Sequence, residues 1–193
     1  MVRDHSQITV CGYTDTLLPP HDQLLAIIPP GGLGDYILEM NAGMEITPYL
    51  HTRSGYGHVR GCVSGEAGVI ETRSVDLPDG ETFTCQIDRF DLERDFYPYP
   101  NAHFKAIMCC ELLETLKHDP MHMMDETHRI LRPACHLILT TRRYTAEQIG
   151  SLLENCGLEV TLLESGGDRV FAAARKVGPV RERYPGWLYP ERR

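Results

Sequence analysis

Residues 96–141 read FYPYPNAHFKAIMCCELLETLKHDPMHMMDETHRILRPACHLILTT. The stretch opens with a proline-rich turn, Phe96 to Asn101, and passes into an apolar run, Phe104 to Cys109. A run of that length without polar alternation suits a strand buried on both faces. Residues 110–116 are expected to begin the helix after it. Asp119-Pro120 is a helix start, with Asp as N-cap and Pro at the first helical position. That helix is expected to run to about Leu131 and stop before Pro133, since proline disfavours helix at the residue before it. Residues 136–141, HLILTT, form the next strand. Strand, helix, strand without a hairpin signal is the pattern of a parallel α/β sheet.

Toward the C-terminus, Thr145 and Gln148 stand three apart as a capping box. The helix they open carries Ile149, Leu152 and Leu153 on one face and ends at Gly157. Residues 158–163 and 169–174 flank the turn ESGGD and are expected to pair as an antiparallel hairpin. Toward the N-terminus, residues 24–28, LLAII, read as the first strand, and Pro29 to Gly34 as its loop. Residues 35–40 read as a short helix. Residues 45–50 read as a second strand, short or at an edge because Pro48 donates no ladder hydrogen bond. Residues 51–80 are rich in loop residues and are read as one small strand pair or an ordered excursion, and residues 82–90 as a strand.

The stretch 96–141, with LLENCGLEV downstream and the tail motif YPGWLY, resembles the second half of a class I S-adenosylmethionine-dependent methyltransferase. The resemblance covers roughly residues 24–189 and is specific from Phe96 onward. It implies a Rossmann-like α/β fold with helices on both faces of a seven-stranded sheet. Six strands are parallel and the last is antiparallel. Ligands in such sheets bind at the carboxyl ends of the strands, where strand order reverses.

In that family the methyl donor meets an acid near the first strand end, a glycine-rich loop, and a carboxylate at the second strand end for the ribose hydroxyls. A polar residue after the third strand caps the adenine. On the register above, the first acid falls on Ala26 or Ile27, and the loop glycines are Gly31, Gly32 and Gly34. The ribose position falls on Leu50 or His51. Asp88, with Arg89 beside it, is the adenine cap. Lys105 stands where the family has an acid, and Cys135 where it has a glycine. Cys110 and Glu111 end the strand that faces the crevice. Losing two charge-assisted contacts costs roughly 3–6 kcal/mol, or about 10²- to 10⁴-fold in affinity. The resemblance therefore implies a methyltransferase-like protein with a degraded cofactor site, acting on a small molecule or glycan. The alternatives are a protein that no longer uses the donor and binds or regulates a partner, and a crevice repurposed for a donor-independent reaction. No catalytic residue is assigned.

Other constellations carry less. His118 and His122 stand four apart, but no third ligand is fixed by spacing, so a solvated polar face is expected and no metal site. Met121, Met123 and Met124 are expected to fill core. The run Asp91, Glu93, Arg94 and Asp95 fits a salt-bridged loop and a ligand-facing loop equally.

Composition bounds these readings. The chain has 193 residues, enough for one domain with a real core. Residues 1–23 are read as an N-terminal extension, and 180–193 as a tail packed on that core. The formal charge of −8 repels phosphate backbones, which argues against nucleic-acid partners. No run reaches the ~20 apolar residues of a membrane span, and the first 20 residues lack the apolar centre of a secretory signal. Seven cysteines, an odd number set largely in apolar runs, suit reduced thiols and a cytoplasmic location. A homo-oligomer or a protein partner remains open.

Overall fold

The computed structural model describes residues 3–9, 21–118 and 120–178. Nine strands form one sheet: β1 (Arg3–Thr9), β2 (Tyr36–Met40), β3 (His58–Ser64), β4 (Val69–Asp76), β5 (Thr82–Phe90), β6 (Phe104–Cys110), β7 (Leu131–Thr141), β8 (Leu158–Gly166) and β9 (Arg169–Lys176). Four helices accompany them: α1 (His21–Ile27), α2 (Thr47–Thr52), α3 (Met121–Ile130) and α4 (Ala146–Asn155). The spatial order is β1-β4-β5-β3-β2-β6-β7-β9-β8. Strands β5, β3, β2, β6 and β7 are mutually parallel, β9 opposes β7, and β8 opposes β9. The seven strands from β5 to β8 thus contain six of one direction and one, β9, of the other. This is the expected core. Two further strands, β4 and β1, extend its outer edge.

The extension changes one connection. Parallel neighbours need a crossover, usually a helix. Between β3 and β5 the chain instead lays β4 antiparallel along the outer side of β5. That replaces a helix with a hairpin and gives a third apolar cluster of Ala42, Met44, Val75, Leu77, Phe83, Cys85 and Ile87.

The first half of the chain differs from expectation by one whole element. Residues 24–28 are not a strand: residues 21–27 form α1, which buries Leu24, with Ile28 buried just past its end. A short apolar run does not distinguish helix from strand by periodicity. Here the two buried positions stand four apart, which is one helical face. Residues 36–40, read as helix, are strand β2, buried from Ile37 onward between β3 and β6. Residues 45–50, read as a strand, give way to α2, with Pro48 in its first turn. Proline suits that position because its missing N–H would be unpaired anyway.

Downstream, all but one of the expected elements are present. Thr145 and Gln148 make both reciprocal bonds of the capping box, and Gly157 takes the left-handed conformation with φ of 74°. The helix expected to begin at 110–116 is absent. Glu111 has φ of 48°, which no helix admits, and the segment turns instead, with Thr115 N–H donating to Leu112 O. The expected cap Asp119 and the tail with Trp187 lie outside the described residues.

Alternation along the central strands sorts the core. Leu38, Met40, Ile107, Cys109, Leu137 and Leu139 face α3 and α4. Ile37, Ala106, Met108 and Ile138 face α1 and α2. Helices therefore cover both faces. Met121, Met123 and Met124 are buried in the first of these clusters. Among the described residues no helix is long and apolar enough to cross a membrane, and the six described cysteines are thiols, not disulfides.

Candidate functional site

Strand order reverses between β2 and β6, so a crevice opens at their carboxyl ends. Strand β2 presents Glu39 there. It is 3% exposed, and its Oε2 has no hydrogen-bond partner. Burial pushes its carboxyl up to about 8, and Glu45 nearby adds to the rise. An unpaired buried carboxyl costs about 1–3 kcal/mol, more if ionised, so its retention needs a reason outside packing.

The chain leaves β2 through a tight loop. Asn41 and Met44 both have positive φ, 65° and 71°, and the N–H groups of Asn41 and Ala42 donate to Cys62 O on β3. Gly61 makes this approach possible: a Cβ there would lie 2.7 Å from that of Ala42. Beyond the loop, a crevice of about 450 Å³ is lined by Asn41, Ser64, Gly65, Asp91, Glu93 and Lys117, among others. Asp91 follows the last residue of β5 and its Oδ1 accepts from Glu93 N–H. Burial alone would raise Glu93, but the N–H groups of Lys117 and His118 and the His118 ring bring it below the usual carboxylate range. The disputed run 91–95 therefore does both things: it is internally bonded and it lines the crevice.

The residues expected to bind the donor are scattered. Gly31, Gly32 and Gly34 precede β2 and lie at the amino edge, the opposite end of the sheet from the crevice. Leu50 is a fully buried core residue of α2. Asp88 lies within β5, 5% exposed, where Arg60 ion-pairs with it at 2.9 Å and the Tyr99 hydroxyl donates to it at 2.8 Å. It is a structural carboxylate, and the acid at the strand end is Asp91. Arg89 ion-pairs with Glu71 of β4. Lys105 pairs with Asp35 at 2.7 Å at the amino edge.

Only Cys110 and Glu111 stand at the carboxyl edge as expected. Burial pushes the Cys110 thiol up to about 12, with Glu111, Glu39, Glu45 and Glu114 adding to the effect. The thiol is thus protonated and no ready nucleophile. Glu111 holds Arg142 at 3.0 Å and Arg169 at 2.6 Å. His118 pairs with Glu93, and His122 bonds Asp95 O. No cluster suited to a metal ion occurs among the described residues.

The sequence reading missed Glu39, the loop 41–45 and Ser64-Gly65, and had Asp91 only within a run read two ways. A signal was present: YILEMNAG is an apolar run with an acid, followed at once by Asn-Ala-Gly.

Residues 54–139 match the sequence model of a family described as a methyltransferase domain. No curated protein matches the sequence. Among solved structures, the chain is similar to one in the complex between the Haloferax volcanii Trm112 methyltransferase activator and a methyltransferase. There the TM-score is 0.65 at 13% identity, over 81% of this chain and 88% of that one. A SAM-dependent methyltransferase from Aquifex aeolicus gives 0.58 at 14% identity, over 82% and 90%. The cyclase SpnF gives 0.61 at 15% identity, over 82% and 80%. Strand order and the crevice at the switch point agree with these structures: the chain has the Rossmann-like fold they share, and its residues 54–139 match the methyltransferase-domain model.

Proposed function

We propose that the chain is an S-adenosylmethionine-dependent methyltransferase acting on a small molecule or glycan, with a donor site altered rather than lost. The observation that carries this reading is Glu39, a carboxyl buried at the end of the first core strand, beside the Thr47 hydroxyl, with no ion-pair partner and with its Oε2 unbonded. An ammonium group is the natural partner for such an acid, and the donor has one. The loop 41–45 curls tightly beside it, with positive φ at two side-chain-bearing residues. Asp91, at the end of β5, takes the adenine-capping role in place of Asp88. The donor, when bound, supplies the methyl group. The chain's own residues bind it, orient it and exclude water, and much of such catalysis is positioning.

One requirement is poorly met. Strand β3 ends in Val63-Ser64-Gly65, and the first acid after it is the exposed Glu66. Replacing a carboxylate on the ribose hydroxyls by the Ser64 hydroxyl would cost about 1.5–3 kcal/mol, so the donor is expected to bind about 10- to 100-fold more weakly than with a carboxylate there. That same feature favours the second reading, a protein that uses no donor.

Calorimetry with S-adenosylmethionine and S-adenosylhomocysteine separates the two. Saturable binding of either, with a thermal shift that grows with ligand as linkage requires, supports the methyltransferase. No heat and no shift at millimolar ligand refutes it.

A further inference from the structure

The sheet face covered by α1 and α2 is apolar through Ile37, Ala106, Met108 and Ile138, then turns polar at the carboxyl edge. Strand register sets the change. Glu39 pairs with Met108, and Cys110 pairs with Thr140, so Glu39, Cys110 and Thr140 point to this same face. Thr47 from the first turn of α2 lies on it too. Glu39 and Thr140 are more than nine-tenths buried, and Glu39 Oε2 and Thr140 Oγ1 have no hydrogen-bond partner. Glu114 contributes a third such atom. Its Oε1 accepts from Arg142 N–H just past β7, while its Oε2 is buried and unpaired.

The charges around this row are unbalanced. Glu111, Glu39, Glu45 and Glu114 all act on the Cys110 thiol. Of the cations at this edge, Arg142 and Arg169 are held by Glu111 and Asp168, and the Arg143 guanidinium donates to the carbonyls of Leu113 and Leu116. Glu39, Glu45 and Glu114 make no ion pair among the described residues. If Glu39 takes the donor's ammonium, two carboxylates and the Thr140 hydroxyl remain open on the β6–β7 side, away from the crevice beside β3. An anionic acceptor would be repelled there, and a neutral one would leave the carboxylates unmatched.

We propose that this row, with Glu114, Thr140 and Cys110 at its centre, is the acceptor subsite and binds the ammonium or amine group of a small organic molecule. This rests on the methyltransferase reading. Glu114 and Glu45 supply the opposing charge, and Thr140 accepts an N–H.

The test uses the full-length protein saturated with S-adenosylhomocysteine. Cyclohexylamine, phenethylamine and tryptamine are titrated by calorimetry and thermal shift, each against its matching alcohol and carboxylate. At least one amine is expected to bind about tenfold or more tightly than its alcohol, with no binding of the carboxylates. Glu114→Gln and Thr140→Val are each expected to weaken that amine about tenfold and leave homocysteine-ligand affinity unchanged. Glu114→Gln keeps the oxygen that accepts from Arg142 N–H, so it is expected to fold. The proposal is overturned if no amine binds, if carboxylates bind as well, or if the two variants weaken the donor product instead. Should S-adenosylhomocysteine itself not bind, the methyltransferase reading fails separately. Amine binding to the unloaded protein, lost in Glu114→Gln, would then still support the subsite, and its absence would overturn it.

Discussion

Glu39→Gln tests the site at its most informative atom, because stability and ligand affinity should move in opposite directions. The folded protein holds the Glu39 proton up to about pH 8, whereas the unfolded chain releases it near 4.5. Between those values the folded state binds more protons than the unfolded one, so stability falls as pH rises through that window. At ~1.4 kcal/mol per pH unit the whole window is worth an upper bound of ~5 kcal/mol. Relaxation around the charge lowers this, and about 2–4 kcal/mol is expected at pH 8. Glutamine has nearly the same shape and no proton to lose. Urea unfolding at pH 5, 6, 7 and 8 should show Glu39→Gln gaining on the wild type as pH rises. His103, His128 and His136, lowered by burial, are common to both proteins and cancel in the difference. Affinity for S-adenosylhomocysteine should meanwhile drop about 10- to 100-fold, the worth of a charge-assisted hydrogen bond. Because Glu39 is mostly protonated at pH 7, binding an ammonium there should also release close to one proton. Calorimetry in buffers of different ionisation enthalpy measures that number. A variant that is less stable at pH 8 and binds the ligand unchanged would refute the reasoning and make Glu39 a structural acid.

Two further substitutions test the geometry. Gly61→Ala places a methyl 2.7 Å from Ala42 Cβ and 3.0 Å from Ile87 Cγ1. It should cost about 1–3 kcal/mol in denaturant unfolding and weaken S-adenosylhomocysteine binding through the displaced loop, and an unchanged affinity would mean the loop is no part of the site. Leu50→Asp puts a charge at a fully buried core position of α2. It should destabilise by several kcal/mol with no gain in donor affinity, and tighter donor binding would restore the register in which this residue faces the ribose.

The second half of the chain was legible because its signals were local and redundant. Phe104 to Cys109 is apolar but for Lys105, Thr145 with Gln148 forms a self-contained cap, and the β8–β9 turn is rich in glycine. The first half failed on two ambiguous segments. LLAII has no periodicity of its own, and its helical state follows from Leu24 and Ile28 packing on the sheet, which is tertiary information. Pro48 is compatible with an edge strand and with a helix first turn, and the choice between them shifted every upstream element by one. That single slip moved the first strand from β2 to α1, and with it the supposed loss of the acid. On the structural register the first core strand ends with Glu39 as its acid, and β3 is the strand whose end carries none. The hairpin crossover through β4 could not be foreseen, because alternation in residues 69–76 does not say which neighbour the strand takes.

The two ends of the sheet also differ in a way that owes nothing to family likeness. At the amino edge the polar groups are matched. Asp35 holds Lys105 and Arg132, the Tyr56 hydroxyl donates to Pro29 O, and Tyr36 stacks on His58 with ring centroids 4.3 Å apart. At the carboxyl edge they are not. All four buried side-chain oxygens found without a partner among the described residues, on Glu39, Thr47, Glu114 and Thr140, lie there. Backbone strain alone would not single out this end, since Ala102 and Ala134 have positive φ elsewhere while Asn41, Met44 and Glu111 have it here. Unmatched polarity does single it out. Folding selects against buried groups without partners, and their gathering at one edge is the feature that supports the proposed ligand site there.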